Sequence, residues 1–175
     1  MKILEVIRQR YSVRAYQDRP IDEDKLQRVL EAARSAPSAK NRQEWRFIVV
    51  TDPELKKGLA EAANQQHFIA SASVVIVCCS VGGDYTMRCG QRAAPIDLAI
   101  AIDHMSLQAV AEGLGSCWIG AFYPDKVRKL LQIPDSVEIV ELLPIGYPSD
   151  KAPSSKNRLP FQSVFSYNEW PENFT

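Results

Sequence analysis

Residues 93–114 of the chain read AAPIDLAIAIDHMSLQAVAEGL. Ile96, Leu98 and Ile100, with the residues that follow them, put apolar side chains on nearly every face of a helix of 3.6 residues per turn. A helix that is apolar all round is buried, either in the core of one chain or between two subunits. The stretch therefore predicts a central helix, and the pattern alone leaves both a two-fold interface and the interior of a monomer open.

Helices and strands alternate on both sides of this segment, without repeats or a low-complexity linker. Helical spacing of apolar residues predicts helices, and short apolar runs predict strands. The predicted helices are residues 2–9, a segment from an N-cap at Asp22 to an end at Pro37, a segment that begins at Asp52-Pro53, and residues 124–132; the predicted strands are residues 45–50, 73–79 and 137–145. Residues 12–16 are expected to be extended. The tail from residue 152 has no helical period, and Phe161, Phe165 and Trp170 require a surface to pack on.

The chain has 175 residues, of which 21 are Lys or Arg and 21 are Asp or Glu, so its formal net charge is zero. That length fits one domain over residues 1–175, and 46% hydrophobic residues suffice for a packed core. A balanced chain lacks the clustered positive charge that nucleic-acid binders and polybasic membrane-surface proteins use. The composition therefore argues against both classes.

The N-terminus begins MKILE and has neither the apolar core nor the cleavage site of an export signal. The longest apolar run, residues 74–79, is far shorter than the ~20 residues that span a bilayer. The four cysteines form no C-x-x-C pair and have no zinc-site spacing to either histidine. We therefore expect reduced thiols, no metal site and a cytoplasmic protein.

Several common catalytic motifs are missing from the sequence. It contains no G-x-x-x-x-G-K-[ST] phosphate loop, no G-x-S-x-G nucleophile elbow and no H-E-x-x-H metal-binding helix. Gly113 and Gly115 follow a predicted helix, whereas the glycines of a dinucleotide fingerprint follow a strand. The chain contains two histidines, so few residues could serve as the base of a histidine-dependent catalytic triad.

Three polar clusters remain as candidates for a binding site. The first, RYSVR at residues 10–14, places two guanidinium groups and a hydroxyl where a helix gives way to an extended segment, and these groups suit a phosphate. The second, residues 36–45, has small residues that let the backbone approach a flat ligand, while Asn41 and Gln43 suit the amide edge of a heterocycle. The third, KNRLP at residues 156–160, again spaces two cations to hold an anion.

Each cluster also has a simpler interpretation. Arginines at a helix end complement the helix dipole, a polar loop can be a solvated connection, and a basic tail can lie in water. The zero net charge is nevertheless an average over an uneven chain. Residues 1–20 contain five basic and two acidic residues, and residues 151–160 contain three basic and no acidic residues. The two basic ends would meet at one anion if the fold brings them together.

Along nearly its whole length the chain resembles the nitroreductase family of flavin-dependent oxidoreductases. Four passages carry the resemblance by their order and separation: RYSVRAY at 10–16, the loop at 36–45, GLGSCWIGAF at 113–122 and KNRLP at 156–160. The resemblance implies an α+β fold, a three-layer α/β/α sandwich in which helices flank a mixed, largely antiparallel sheet and an extended C-terminal arm follows. It also implies an FMN-binding domain and a homodimer with FMN sites at the subunit interface, which would place the apolar helix there.

The resemblance further implies which residues bind FMN. The positions that match the phosphate site are Arg10, Ser12, Lys156 and Arg158, and Arg14 matches a position at the ribityl chain or the pyrimidine edge. The loop that comes from the partner subunit in this family corresponds to Pro37, Ser38, Ala39, Asn41 and Gln43. The backbone amides that face N5 and O4 of the ring correspond to Gly120 and Ala121, which follow Ile119. Asn64 and Gln65 fall near the O2/N3 edge.

The resemblance also has departures. Tyr11 lies in the phosphate-binding segment but replaces the basic residue common at that position, which leaves the anion site with one cation fewer. The chain is shorter than the larger members of the family, so we expect the helical cover over the active site to be reduced.

The activity that the resemblance implies is hydride transfer from NADH or NADPH to flavin N5, and then reduction of a small acceptor such as a nitroaromatic or a quinone by a ping-pong route. The flavin carries the chemistry in such enzymes, so we expect no catalytic side chain. Two alternatives stay open. One is a flavin enzyme with another physiological reaction, such as enal or quinone reduction or oxygen-dependent chemistry, and the other is a flavin-binding redox module without turnover.

Overall fold

The computed structural model describes residues 2–82 and 85–171. The helices are α1 (Ile3–Gln9), α2 (Glu23–Arg34), α3 (Pro53–Ala62), α4 (Phe68–Ser71), α5 (Ala93–Ala111) and α6 (Pro124–Leu131). The strands are β1 (Trp45–Val50), β2 (Val74–Ser80), β3 (Gly115–Ser116) and β4 (Glu138–Gly146). Single 3₁₀ turns lie at Ala39–Asn41 and Phe161–Ser163.

The four strands form one sheet in the order β1-β2-β4-β3, and each neighbouring pair is antiparallel. β2 is paired on both sides and is buried along its whole length, as its unbroken apolar run predicts. A parallel bridge between Ser12 and Ser116 adds the extended N-terminal segment to the β3 edge. The sheet is therefore mixed and largely antiparallel, as predicted.

Helices cover both faces of this sheet. Because successive side chains of a strand point to opposite faces, Val74, Ile76 and Cys78 pack in one core with α2 and α5. Val75 and Val77 pack in a second core with α3, α4 and α6 on the other face. These two cores give the predicted α/β/α layers.

Helix α5 fills the centre of the first core. Leu98, Ile102 and Met105 are almost completely buried, and α2 packs along the helix. The opposite side of α5 is covered less well, since Ile96 is 41% exposed and Leu107 is partly exposed. The prediction of a central helix is confirmed, and one apolar stripe of it remains open to solvent in a single chain. None of the helices in the described ranges combines the length and the apolar composition needed to cross a bilayer.

Element ends differ from the sequence expectation by a few residues. α5 ends at Ala111 instead of Leu114, because Gly113 adopts a φ of +74° and turns the chain out of the helix. α2 ends at Arg34, before Pro37, since a residue that precedes proline disfavours the helical conformation. The strand at 45–50 has the predicted bounds, and the short elements α4 and β3 lack a pattern long enough to predict them.

The C-terminal arm, residues 151–171, lies on the surface of the chain. Leu159 is 71% exposed and Trp170 is 75% exposed, while Phe161 and Phe165 stack on each other at 4.5 Å. The sequence predicted that the arm requires a surface to pack on. A single chain leaves most of the apolar groups of the arm in water.

Candidate active site

The N-terminal basic segment runs along the edge of β3. Val13 is completely buried there, and its backbone N–H donates to a β3 carbonyl at 3.0 Å. Because an extended chain alternates its side chains, Arg10, Ser12 and Arg14 lie together on the other face. All three side chains lie near the Cys117 thiol. Burial raises the pKa of this thiol, whereas the charges of Arg14 and Arg10 and a hydrogen bond with Ser12 lower it.

Basic residues near the C-terminus reach the same place. Lys156 Nζ donates hydrogen bonds to backbone carbonyls at the C-terminal end of α1, among them those of Arg8 and Arg10. Burial and the positive charges of Arg10 and Arg158 lower the pKa of Lys156, so the three cations lie close together. The fold therefore brings the two basic ends of the chain to one point, although Lys156 and Arg10 are 146 residues apart in sequence.

The side chains of this basic cluster make no ion pair in the described structure, although the Asp150 carboxylate accepts the backbone N–H of Arg14 at 3.2 Å. None of the ion pairs within residues 2–82 and 85–171 includes Arg10, Arg14, Lys156 or Arg158. Uncompensated like charges repel one another, so such a cluster is typical of a site that a bound anion completes. The arrangement suits a phosphate group.

Two predicted members of the cluster also have structural partners. Lys156 directs its Nζ at helix carbonyls, so it adds charge to the site while its hydrogen bonds hold the arm against α1. The Tyr11 hydroxyl donates to Asp150 Oδ1 at 3.0 Å, and burial together with Asp150 raises the pKa of Tyr11 to about 12. Tyr11 and Lys156 thus fasten the start of the arm to the N-terminal segment.

A short segment after β3 offers two backbone donors. Ile119 and Leu142 of β4 exchange backbone hydrogen bonds at 3.0 and 3.2 Å, which fixes the segment on the sheet. The next two N–H groups, those of Gly120 and Ala121, make no hydrogen bond within the described residues, and both residues are exposed. Two amides held in this way can bind acceptor atoms at the edge of a planar ligand.

The turn after α3 lies beside this segment. Asn64 and Gln65 have φ values of +55° and +58°, a left-handed conformation that non-glycine residues seldom adopt. Gln66 Nε2 donates to the Ala63 carbonyl at 3.0 Å and to the Ala121 carbonyl at 3.3 Å. The turn containing Asn64 and Gln65 is thereby held against the two free amides, and no sequence motif indicated this role of Gln66.

A carboxyl group that no motif indicated lies next to Gly120. A Cβ atom on Gly120 would be 3.8 Å from Glu141 Oε2. Burial raises the pKa of Glu141 to about 7, against the effect of a hydrogen bond from the Ile119 backbone. One signal was present in the sequence, because Glu141 interrupts an otherwise apolar run over residues 139–145.

The loop between α2 and β1 is anchored on α5. The Ala39 N–H donates to both carboxylate oxygens of Asp97 at 3.1 Å, and Asp97 is almost completely buried. The Gln43 N–H donates to Ser38 Oγ at 3.1 Å and closes the loop on itself. Asn41 and Gln43 adopt φ values of +55° and +52°, and their exposed side chains are available to a ligand or a neighbouring subunit.

Within one chain, this loop and the basic cluster lie at opposite ends of α5. Asp97 belongs to the first two turns of α5, whereas Val13 packs against Gly115, just after the last turn. A helix rises about 1.5 Å per residue, so these anchor points are separated by about 20 Å or more. The structure therefore separates the loop from the predicted basic residues at 10–14 and 156–158.

The connection from β2 to α5 is short. In its described part, residues 85–92, it forms a bridge between Thr86 and Arg92 and contains no helix. The Tyr85 ring packs on the neighbouring loop, with Lys40 Nζ 4.7 Å from the ring centroid.

Known proteins are similar to this chain in sequence and in fold. The model of the nitroreductase family matches residues 7–68 and 60–147. An NADH dehydrogenase of Thermus thermophilus is 33% identical over an alignment of 186 positions, which covers 89% of this chain and 90% of that protein. An FMN reductase (NAD(P)H) of Bacillus subtilis is 32% identical over 170 residues, which cover 87% of this chain and 68% of that protein.

The structural comparison agrees with the sequence comparison. The crystal structure of a nitroreductase family protein from Clostridium difficile 630 superimposes with a TM-score of 0.87 at 38% identity, over 97% of this chain and 100% of that one. The predicted fold class and the predicted enzyme class, an oxidoreductase, are confirmed. By its match to the family model and its likeness in sequence and structure to a family member, this chain belongs to the nitroreductase family.

Proposed function

We propose that residues 1–175 form a single FMN-binding domain, and that this oxidoreductase takes hydride from NADH or NADPH and reduces a small acceptor. The observation that carries this proposal is the cluster of basic side chains that make no ion pair within the described residues, together with two backbone amides that make no hydrogen bond there. The names of the relatives, an NADH dehydrogenase and an FMN reductase, support the same cofactors. The free, mostly buried thiols suit a reducing compartment, which supports the cytoplasm.

The basic cluster would bind the phosphate of FMN. Arg10 and Arg158 carry guanidinium groups, which hold phosphate oxygens through paired, charge-assisted hydrogen bonds. The Ser12 hydroxyl supplies a further donor on the same face of the extended segment. Lys156 strengthens the positive potential there although its own donors bind α1.

The segment after β3 would orient the flavin ring. When bound, FMN accepts a hydride from the nicotinamide and passes it to the acceptor. The Gly120 and Ala121 amides would donate hydrogen bonds to the N5 and O4 edge, and Arg14 would hold its positive charge near the pyrimidine edge. Amides and charges that are fixed before the reaction stabilise developing negative charge without having to reorganise.

A second subunit would complete the site. The loop at 37–43 is about 20 Å from the basic cluster of its own chain, so a loop that packs on the flavin has to come from another copy. Exposed apolar side chains on α1, α5 and the arm would form the interface: Ile3 is 77%, Ile96 41% and Leu159 71% exposed. Large exposed apolar surfaces are typical of such interfaces. We therefore propose a homodimer with two shared FMN sites.

Absorbance spectroscopy tests the proposed function. The purified protein should be yellow, with about one FMN per chain, and anaerobic NADH or NADPH should bleach the flavin band. A colourless protein that takes up no added FMN would contradict the cofactor assignment. Bound FMN that neither nucleotide bleaches would instead indicate a redox module without turnover. Steady-state rates with nitroaromatics, quinones, enals and oxygen then identify the acceptor class.

A further inference from the structure

One carboxyl group at the site has no part in the function proposed above. Glu141 lies on β4, where the pairing with β2 shifts register between Cys78 and Cys79. Its Oε1 atom is shielded from solvent and has no hydrogen-bond partner within residues 2–82 and 85–171. A buried carboxylate oxygen without a partner is costly unless the group is protonated or a ligand completes it.

Glu141 borders the space in front of Gly120. The atoms that a Cβ on Gly120 would meet are the two oxygens of Glu141, at 3.8 and 4.0 Å. Gly120 therefore leaves a small recess, and the carboxyl group forms its wall. The proposed N5 edge of the flavin lies at the Gly120 amide, so a ligand bound there would have this carboxyl group beside it.

The groups that face Glu141 carry no compensating charge. From β2 it is faced by the Cys78 thiol, and from the segment after β3 by the Cys117 thiol and the Ile119 amide. Burial raises the pKa of both thiols, so both are neutral near pH 7. None of the ion pairs in the described part of the chain includes Glu141. The charge of Glu141 is thus set by burial and by whatever occupies the recess.

We propose that Glu141 holds the proton that accompanies the hydride through the reaction, an inference that rests on FMN binding as proposed above. NAD(P)H delivers a hydride, which carries two electrons, and leaves as NAD(P)⁺. Glu141 takes up one proton from solvent at the same stage, because added negative charge beside a carboxylate raises its affinity for a proton. Glu141 releases that proton when the acceptor gains the hydride, so the acceptor A leaves as AH₂ and the charges balance.

Because the pKa of Glu141 is about 7, its uptake of a proton can be measured near neutral pH. Burial raises the pKa of Glu141 to about 7 before any negative charge is added, so just above that pH the carboxylate is ionised and able to accept the proton. Reduction of the bound FMN then raises the pKa further, and the carboxylate becomes protonated.

The test counts protons. The FMN-loaded protein is reduced anaerobically with NADH or NADPH in weak buffer at about pH 7.5, and a pH indicator reports the protons taken up per flavin. We expect Glu141→Gln, which keeps the size of the side chain but cannot ionise, to take up about half to three quarters of a proton fewer than the unaltered protein. Glu138→Gln is the matched control, since Glu138 lies on the same strand and its carboxylate pairs with Arg92 at 2.6 Å. The control should match the unaltered protein.

The outcomes separate this proposal from the proposed function. Failure to bind or reduce FMN refutes the proposed function itself. Equal proton uptake by E141Q and the unaltered protein, with FMN bound and reduced in both, overturns the role of Glu141 alone. Should E141Q lose FMN, the count is made on Glu141→Asp, which draws the carboxyl group away from Gly120. The proposal then requires a lower uptake, and an equal uptake overturns it.

Discussion

The positive charges of Arg10 and Arg158 lie close together beside Lys156, and neither guanidinium group makes an ion pair within the described residues. We expect the double variant Arg10→Ala, Arg158→Ala to lose FMN while remaining folded, because both side chains are exposed or partly exposed and neither belongs to a core. A charge-assisted hydrogen bond contributes about 1.5–3 kcal/mol, so the Kd for FMN should rise roughly 10²- to 10⁴-fold. Fluorescence titration of the apoprotein with FMN measures this. Lys129→Ala, an exposed change on α6, is the control, and full FMN occupancy in the double variant would refute the phosphate assignment.

Glu141 also predicts a pH dependence of stability. Burial raises its folded pKa from 4.5 to about 7, so the folded chain keeps a proton that the unfolded chain releases. The stabilisation is therefore complete below about pH 4.5 and is lost as the pH rises through about 7. Because the group is only partly buried, we expect about 1–2 kcal/mol. The free energy of unfolding is measured in urea at about pH 5 and about pH 8. From the lower to the higher pH it should fall less in E141Q than in the unaltered protein. Parallel losses in both proteins would contradict the prediction.

At the element scale, α5 acts as an anchor for the loop at 37–43 as well as a core helix. Asp97→Ala leaves the Ala39 N–H without its acceptor, and we expect it to cost about 1–3 kcal/mol and to loosen the loop. Asp97→Asn keeps one acceptor oxygen and should recover part of that loss. Urea unfolding and limited proteolysis within the loop measure the two effects. Asp103→Ala, an exposed change on the same helix, is the control, and a D97A loop that resists protease like the unaltered one would contradict the anchor.

The elements themselves follow closely from the sequence pattern. β1 has its predicted bounds because WRFIVV is a short run of aromatic and β-branched residues between polar segments. The helix start predicted at Asp52-Pro53 is confirmed, and the Asp52 carboxylate caps the helix by accepting the Leu55 N–H at 2.9 Å. Asp22 precedes α2 as predicted but makes no capping hydrogen bond, because Oδ2 accepts from the Tyr147 hydroxyl instead. A contact with a residue distant in sequence can thus replace the hydrogen bond that a local pattern predicts.

At the scale of the whole molecule, the separation of the loop from the basic cluster predicts a complementation experiment. One chain carries Arg10→Ala with Arg158→Ala, and the other carries Ser38→Trp, which fills the space in front of the loop. In a mixed dimer, one site carries both defects and the other carries none, so we expect about one FMN per mixed dimer and little FMN in either parent. Mixed dimers are isolated with two different affinity tags. A mixed dimer without FMN would show that loop and cluster act within one chain.

The exposed apolar arm predicts the assembly itself. Light scattering after size-exclusion chromatography should give the mass of a dimer, twice 19.6 kDa. A chain that ends after Arg158 removes Leu159, Phe161 and Trp170 but keeps the cluster, and we expect it to dissociate at concentrations where the full chain is dimeric. Circular dichroism checks that the shortened chain is folded. A monomer that retains FMN would contradict the shared site.

The layers, the central helix and the family could be predicted from the amino acids alone, because apolar periodicity and the order of short motifs are local properties of the chain. The folded structure, in contrast, sets what the side chains of the site meet. It brought Lys156 to the carbonyl of Arg10, bound Tyr11 to Asp150, and placed the partly buried Glu141 beside Gly120. It also separated the loop at 37–43 from the basic cluster by most of the length of α5. These features depend on contacts between residues that are distant in sequence, and a local sequence pattern does not predict such contacts.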